Sequence, residues 1–584
     1  MEYRIIMEKS RQEKKSSIFS LLASYRGLIL LLILFALLSN GINLLLPKII
    51  AHGIDSYTNG TFKIEPVLIQ FSVAILLVFV FTYLQSIIQT YASEKVARDL
   101  RSKLSDQISR QSHVYVIQAN PAKLLTNLTS DVDSIKMFVS QAIVSITSSI
   151  FLIVGASILL LMINWKLALC VIAIVPIIGG AFFFVLSKVR VLFKKSREVI
   201  DWLNKVISES ILGSALIRVV NSQMLEYHKF LDANAKARDL GLSILRLFAG
   251  LIPIIVFVSN LAGLCILVLG GHFVITNSMT LGEFTAFSSY LSLIIFPILV
   301  IGFMSNVIAQ ATASYQRIDS VLNAVEVKHP GTVQENLIGE VEAKHISLSF
   351  GQKPVLKNVS FSAKAGSKTA IIGPTAAGKT QLLYILTGLI NADAGEVLFD
   401  GKDINAYNQE SFHGQVGFVF QDSIIFNMSI RENIAFSTTV TDESLARAIE
   451  TAALSDFVDA LPEKLNTIVS ERGSSLSGGQ KQRIMLARAL AVNPKILLLD
   501  DFTARVDQNT EKQILNNIQK NYPNLTLISV TQKVASVTHY EKVILLMQGE
   551  VVASGTHEEL LKTSPEYVQI YNSQQSTSNY ELQS

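Results

Sequence analysis

Hydrophobic and polar positions follow two different patterns along the chain. The N-terminal part carries six long apolar segments without a single Asp, Glu, Lys or Arg, at 27–47, 66–93, 137–163, 167–187, 247–274 and 284–316. A helix needs about 20 residues to cross about 30 Å of hydrocarbon, and each segment is long enough. Six such segments in series predict an all-α membrane domain with six spanning helices.

The pattern changes near residue 339, where short β-branched runs begin to alternate with helical patterns and glycine-rich turns. This alternation is typical of an α/β domain with a largely parallel sheet. The sequence therefore predicts a transmembrane domain with long cytoplasmic extensions at 1–325, a linker at 326–337, and an α/β domain at 338–584.

Composition narrows the class of protein. Half of the 584 residues are hydrophobic and 16% are charged, whereas soluble proteins carry about 25% charged residues. The composition thus argues against a wholly soluble enzyme. A net charge of +4 is small for this length, so we expect no nucleic-acid partner. Cys170 and Cys265 both lie in apolar segments and cannot form a disulfide framework.

Basic residues orient the chain in the bilayer. They are concentrated in the connections between the second and third and between the fourth and fifth segments, as at Lys95, Arg98, Arg101, Lys103, Arg110 and Lys123 in the first of these. Cytoplasmic loops carry an excess of Lys and Arg. We therefore expect a multi-pass protein of the cytoplasmic (inner) membrane with both termini inside. The basic residues between Arg4 and Lys15 indicate a cytoplasmic lead-in rather than a signal peptide.

Polar side chains within the apolar segments leave two interpretations open. They are Asn40, Asn43, Gln85, Gln89, Gln141, Asn260, Ser305 and Asn306. Such groups hydrogen-bond between helices or line a translocation cavity. The absence of formal charge from the segments argues against an ion-coupled carrier, which usually needs an ionisable group inside the membrane.

A phosphate-binding loop stands near the start of the α/β domain. An apolar strand at 369–372 is followed by a helical pattern, and between them lie Gly373, Pro374, Thr375, Ala376, Ala377, Gly378, Lys379 and Thr380. This run matches G-x-x-x-x-G-K-[ST] in the required context. Backbone amides and the helix N-terminus bind phosphate. Lys379 would reach the β- and γ-phosphates and Thr380 would hold Mg²⁺.

Two further motifs follow. The strand that begins at Lys495 continues through the apolar run 496–499 and ends in Asp500, which would hold the metal through water. Between the loop and this strand, Leu476 precedes Ser477, Gly478, Gly479 and Gln480 at the predicted start of a helix. A helix that begins with serine and two glycines is a second candidate phosphate-binding end. An ordinary capped turn is the alternative.

On these motifs the chain resembles the ATP-binding cassette (ABC) family, specifically bacterial half-transporters of the exporter type, over nearly its whole length. The resemblance implies that Phe350 stacks on adenine, that Gln421 senses Mg²⁺ and the γ-phosphate, and that Asp507 belongs to the D-loop. It also implies that the loop at 470–473 touches the membrane domain and that segments near 113–120 and 211–219 are coupling helices.

The resemblance further implies that two cassettes close over two ATP molecules. Each ATP would lie between the Walker motifs of one chain and the 477–480 segment of the other. A single chain then cannot make a complete site.

Three positions depart from the family pattern. Asp501 stands where the catalytic glutamate is expected. Its side chain is one methylene shorter, which draws the carboxylate back by about 1.3 Å relative to glutamate. This retraction matters because a general base must lie within about 3 Å of the water that it polarises. Gln532 replaces the H-loop histidine and cannot exchange a proton near pH 7. Ala376 replaces a usual glycine, at a cost if the position needs a positive φ.

The substitutions at Asp501 and Gln532 predict a site that binds ATP but turns it over poorly, beside an intact 477–480 segment. The leading hypothesis is the degenerate-site subunit of a heterodimeric exporter, paired with a second half-transporter that has the consensus glutamate and histidine. Its cargo would be hydrophobic or amphipathic, such as a drug or lipid. A slow homodimeric exporter or lipid floppase, and a nucleotide-gated channel or regulatory membrane subunit, remain alternatives.

Overall fold

A computed structural model describes residues 18–324, 331–470 and 473–581. The predictions for the basic N-terminal residues, for 326–330 of the linker and for 471–472 of the 470–473 loop lie outside this range. The chain divides into two compact units. The described parts of 1–109 and 119–325 form the first unit, and 110–118 with the described parts of 326–584 form the second.

Among the described residues of the first unit, six helices are long and apolar enough to cross a membrane. They are α1 (Ser20–Thr58), α2 (Ile64–Ser109), α4 (Pro121–Ile163), α5 (Trp165–Leu212), α7 (Gln223–Ile275) and α8 (Leu281–Leu322). A short helix, α6 (Ser214–Val219), follows α5. The helices contain 39 to 53 residues, well above the 20 or so that a bilayer needs. The prediction of six apolar spanning helices is confirmed.

Polar contacts join the helices of the first unit. Asn40 Nδ2 on α1 donates to Ser148 Oγ on α4 at 2.9 Å, and Gln89 Nε2 on α2 donates to the carbonyl of Ser140 on α4. The interhelical interpretation is thus confirmed for Asn40 and Gln89. Such bonds satisfy polar groups that hydrocarbon would leave without partners.

The helices of this unit are also joined near their ends. Asp55 on α1 accepts hydrogen bonds from Thr280 Oγ1 and from the Gly282 amide, both at 2.8 Å. A carboxylate at the first turn of α8 is favourable because free amides and the helix dipole meet there. Elsewhere, the buried Asp131 on α4 accepts from Ser314 Oγ and Arg317 Nε on α8, both at 2.9 Å.

The described residues of the second unit form ten strands in two sheets. They are β1 (Val341–Phe350), β2 (Lys353–Ala363), β3 (Lys368–Ile372), β4 (Ala394–Phe399), β5 (Lys402–Asp403), β6 (Val416–Val419), β7 (Ile496–Asp500), β8 (Thr526–Thr531), β9 (Lys542–Met547) and β10 (Glu550–Gly555). The four-stranded sheet has the order β2-β1-β4-β5 and is antiparallel. The six-stranded sheet has the order β10-β9-β3-β8-β7-β6 and is parallel except for β10.

Helices accompany these strands. They are α3 (His113–Ala119), α9 (Lys379–Leu386), α10 (Gln409–His413), α11 (Ile430–Ile434), α12 (Asp442–Thr451), α13 (Ser455–Asp459), α14 (Gly478–Ala491), α15 (Gln508–Asn521), α16 (His557–Thr563) and α17 (Pro565–Glu581). Both faces of the parallel sheet are buried, because Leu497 and Leu499 belong to one apolar core and Ile496 and Leu498 to the other. Such burial explains the near-continuous apolar runs of these strands. The predicted fold class, an all-α membrane domain plus an α/β P-loop domain, is confirmed.

Helix α3 belongs to the second unit although it lies between two membrane helices in the sequence. Val114 packs against one of the apolar cores of this unit. The ring of His113 meets that of Tyr384 edge-on, with centroids 5.6 Å apart. The short helices predicted near 113–120 and 211–219 are therefore present as α3 and α6.

Candidate functional site

Three neighbouring parallel strands carry the predicted site. Strands β3, β8 and β7 lie side by side, and their carboxyl ends lead into the loop at 373–380, Gln532 and the pair Asp500–Asp501. Ligands of parallel α/β sheets bind at this edge. A cleft of about 880 Å³ opens there, within the range of small-molecule sites.

The cleft brings together most of the predicted residues. Those that line it are Phe350, Thr375, Ala376, Ala377, Gly378, Lys379, Thr380, Gln421, Asp500, Asp501 and Gln532. Gly373 and Pro374 contribute through their carbonyls, which accept from Lys379 Nζ at 2.8 Å each. Ser477, Gly478, Gly479 and Gln480 do not line the cleft in the described part of the chain.

Two glycines give the loop its shape. A Cβ on Gly373 would lie 2.0 Å from the carbonyl oxygen of Leu546, so no side chain fits there. Gly378 has a φ of +96° and precedes α9, a conformation that glycine adopts without strain. The loop therefore closes tightly around the amine of Lys379. Burial lowers the pKa of Lys379, while the charges of Asp501 and Asp500 oppose that shift.

Thr380 and Asp500 form a corner that fits a divalent cation. Thr380 Oγ1 donates to Asp500 Oδ1 at 3.2 Å, and Asp500 is 1% exposed. Burial raises the pKa of Asp500, and the bond from Thr380 lowers it. Its Oδ2 is buried without a hydrogen-bond partner among the described residues. A buried carboxylate oxygen left without a donor beside a hydroxyl fits an oxygen-preferring ion such as Mg²⁺.

Asp501 enters the cleft from a left-handed backbone. Its φ is +46°, and its amide donates to the carbonyl of Val530 at 2.9 Å. Asp and Asn tolerate this region better than most residues with a side chain. Burial raises the pKa of Asp501, whereas the ammonium groups of Lys379 and Lys533 lower it.

Ala376 also has a left-handed backbone, with a φ of +65°. The condition under which alanine is costly at this position is therefore met.

Phe350 and Gln421 border the cleft on other elements. Phe350 ends β1 and is 47% exposed, which leaves its ring accessible to a ligand. Gln421 follows β6, and its backbone carbonyl accepts from Gln482 Nε2 at 3.2 Å. Gln482 lies on α14, so the helix that begins at Gly478 supports the Gln421 loop.

The 477–480 segment forms a complete capping box. Ser477 Oγ accepts from the Gln480 amide at 3.2 Å, and Gln480 Oε1 accepts from the Ser477 amide at 2.8 Å. Reciprocal bonds of this kind satisfy two amides of the first turn. The capped turn considered as an alternative from the sequence is therefore present.

Several residues near the cleft had not been predicted from the sequence. Lys353 and Lys357 on β2 line it, as does Gln548. Two lysines within seven positions of an exposed aromatic residue were a usable signal, because cations suit a triphosphate. Lys533 directly follows the substituted Gln532, and its Nζ donates to the carbonyl of Thr503 at 3.1 Å.

Comparisons with known proteins agree with this geometry. The family model for the ABC transporter transmembrane region matches residues 29–298, and that for the ABC transporter domain matches 356–504. The "Uncharacterized ABC transporter ATP-binding protein YfiB" of Bacillus subtilis (strain 168) is 31% identical over 565 residues, 95% of this chain and 97% of that protein. The chain belongs to the ABC transporter family.

Other members extend the comparison. The "Multidrug resistance-like ATP-binding protein MdlA" of Buchnera aphidicola (strain Sg) is 29% identical to this ABC transporter over 94% of the chain and 96% of that protein. The structure of a bacterial Atm1-family ABC exporter with ATP bound superposes with a TM-score of 0.75 at 23% identity, covering 94% of this chain and 99% of that one. The chain thus has the ABC exporter fold, as a half-transporter with one membrane region and one ATPase domain.

Membership assigns the general activity. The chain is a multi-pass membrane protein, and its second unit binds ATP as part of an ATPase coupled to transport.

Proposed function

We propose that this chain is one subunit of an ABC exporter that moves hydrophobic or amphipathic compounds, drug-like or lipid-like, out across the cytoplasmic membrane. Its own cleft holds ATP and Mg²⁺ but hydrolyses ATP slowly. It works with a second, different half-transporter that carries the consensus glutamate and histidine.

The observation that carries the proposal is a contrast within the cleft: its binding residues are retained, whereas its two catalytic positions are substituted. Lys379, Thr380 and Asp500 are arranged for phosphate and metal. Asp501 and Gln532 occupy the two positions at which catalysis would need a longer carboxylate and a titratable ring. Displacing a reacting group by about 1 Å can cost about a hundredfold in rate.

The second chain is supported by what this cleft lacks. The capped helix start at 477–480 does not line it in the described residues, so we assign that segment to the partner's ATP. A second feature also supports a partner chain. The end of α5, helix α6 and the start of α7 expose apolar side chains. They include Leu212, Leu216, Val219 and Met224, with Val219 86% exposed. Exposed apolar patches of this kind mark interaction surfaces.

Each residue of the cleft has a role in this proposal. Lys379 leaves the carbonyls of its loop and donates to the β- and γ-phosphates, and Phe350 stacks on the base. Thr380, Asp500 and Gln421 hold Mg²⁺, which neutralises phosphate charge when it is bound. Asp501 orients a water weakly, because its carboxylate is short. Gln532 donates to the γ-phosphate and accepts no proton.

The cargo class and direction rest on the membrane unit and on similarity. The spanning segments carry no formal charge, which suits apolar or amphipathic cargo. A relative is named multidrug resistance-like. The basic residues of the long connections support cytoplasmic termini, so that ATP is used on the inside.

ATP hydrolysis by the purified full chain in lipid nanodiscs tests the proposal. We expect turnover at least about tenfold below that of an exporter with the consensus residues, because the base is retracted. The double variant Asp501→Glu with Gln532→His should raise turnover if the chain pairs with itself. Adding the true partner should raise turnover without any substitution.

The matched control is Asp501→Asn with Gln532→His, which has the titratable ring at 532 but no carboxylate at 501 to polarise the water, and which should stay inactive. Ordinary exporter turnover by the unmodified chain alone would overturn the slow-site proposal and favour the homodimer. Net uphill transport in vesicles with the partner separates an exporter from a nucleotide-gated channel. A conductance that survives loss of hydrolysis would exclude the exporter.

A further inference from the structure

The last helix of the chain reaches the segment that carries Gln532. On α17, Gln574 Nε2 donates to the carbonyl of Gln532 at 2.7 Å. Its Oε1 accepts from the amide of Val534 at 2.9 Å. One carboxamide therefore holds the backbone on both sides of Lys533.

Helix α17 is anchored well enough to act as a fixed support. Tyr567 is fully buried, and Ile570 and Tyr571 pack against the same apolar core that contains Val534 and Val537. Tyr567 Oη also lies 2.6 Å from His557 Nδ1 on α16. Residues 567, 571 and 574 recur at helical spacing and lie on one face, so packing of the first two directs Gln574 toward the 532–534 backbone.

The held segment faces the nucleotide cleft. Gln532 lines the cleft, yet its side chain is exposed and forms no hydrogen bond with the described part of the chain. The backbone therefore determines where its Cα and Cβ stand at the edge of the cleft, and from where the carboxamide reaches into it. A bidentate bond from a packed helix restricts that backbone more than a single bond can, because the donor and the acceptor both have to be satisfied.

We propose that Gln574 is a positioning residue that holds Gln532 toward the γ-phosphate. This inference rests on the proposed ATP site and deepens it. The last helix of the chain thereby becomes part of how the cleft distinguishes ATP from ADP. A purely structural helix contact would stabilise the fold without such discrimination.

The test measures ATP and ADP affinity on the full chain in nanodiscs, through displacement of a fluorescent ATP analogue in the presence of Mg²⁺. Gln574→Ala should weaken ATP binding by about three- to tenfold, the range of one neutral hydrogen bond, and leave ADP binding unchanged. Gln532→Ala should have the same effect. The double variant should be no weaker than Gln532→Ala alone, because the two residues act as a unit.

Two further variants keep the test decisive. Gln574→Glu retains the acceptor for the Val534 amide and loses the donor to the Gln532 carbonyl, so it should reproduce the ATP-specific loss even if Gln574→Ala unfolds. Asn572→Ala removes an exposed carboxamide from the same helix and should change neither affinity.

The outcomes are distinguishable. Equal loss of ATP and ADP affinity, or additive losses in the double variant, would overturn the role of Gln574 and leave the ATP site standing. A chain that binds neither nucleotide would overturn both the role and the proposed function.

Discussion

Two helix starts in the ATPase domain carry phosphate-binding sequences, and they differ in what they leave unsatisfied. At the 373–380 loop the carboxylate oxygen Asp500 Oδ2 is buried without a partner among the described residues, and the amine of Lys379 is held by loop carbonyls. At the 477–480 segment a reciprocal capping box satisfies the amides of Ser477 and Gln480. In the part of the chain that the structure describes, the first site therefore leaves a buried oxygen without a partner, whereas the second keeps only the amides of its two glycines free, which we propose bind the ATP of another chain.

The same comparison explains where the substitutions fall. Asp501 and Gln532 surround the loop, and the 477–480 segment keeps its family sequence. In the proposed heterodimer, this chain has to retain Ser477 and the following glycines, because these groups would bind the phosphate of its partner's ATP. Its own cleft has to bind ATP but can lose speed. Under this proposal, the intact sequence at 477–480 and the substitutions beside the 373–380 loop follow from one division of labour between two chains.

The largest expected effect comes from a substitution at the first of these helix starts, the 373–380 loop. Lys379→Ala should lower the affinity of the full chain for ATP by between about 10- and 100-fold, because a charge-assisted hydrogen bond contributes about 1.5–3 kcal/mol. Ser477→Ala should leave the affinity of the isolated chain within about twofold and instead reduce hydrolysis by the complex with the partner. Nucleotide displacement and a coupled ATPase assay measure the two effects.

Lys512→Ala, at an exposed lysine of α15, is the control for removing a positive charge. Loss of this chain's own ATP affinity in Ser477→Ala would show that the two helix starts serve one site within a single chain, contrary to the division proposed here.

A second prediction uses the carboxylates on the two sides of the 502–505 turn. The pKa of Asp501 is raised by burial, so the stability that it contributes is complete below about pH 4 and is lost as pH rises through the raised pKa. Asp501→Asn should therefore stabilise the nucleotide-free ATPase unit at pH 7. The unfolding midpoint of this variant at pH 7 should therefore lie above that of the unmodified chain, and the difference should shrink toward pH 4.

Asp507 is the matched comparison, because removing its charge should change the stability of the fold at pH 7 in the opposite direction. Its pKa is lowered, first by the hydrogen bond from the Thr510 amide at 2.9 Å. Its contribution is present above about pH 4 and is lost as pH falls through the folded pKa. Asp507→Asn should thus destabilise at pH 7 and lose its effect in acid. Thermal unfolding between about pH 2 and pH 7 measures both variants, and equal signs at pH 7 would contradict this assignment of charges.

The sequence was sufficient where a function is encoded in consecutive residues. The loop at 373–380, the strand that ends in Asp500 and the spanning segments could be predicted, because each follows a local pattern of periodicity or turn chemistry. Gln574 could not be predicted, because it lies 42 positions from Gln532 in a helix without a motif. The placement of α3 with the ATPase unit depends likewise on packing at Val114 and His113, which no spacing in the sequence reveals.

The smallest expected effect concerns strain within the 373–380 loop. Ala376 has a φ of +65°, where an L side chain costs roughly 1 kcal/mol relative to glycine. The 477–480 segment has no residue of positive φ among those described. Ala376→Gly should therefore relieve strain at the first helix start. We expect ATP affinity to rise by up to about fivefold if the loop adopts this left-handed conformation mainly when ATP is bound.

Ala377→Gly, at a neighbouring position without positive φ, is the control and should weaken binding slightly, because glycine loses more backbone freedom on ordering. Equal changes in the two variants would mean that loop flexibility, and not the left-handed conformation at 376, governs the affinity of the cleft.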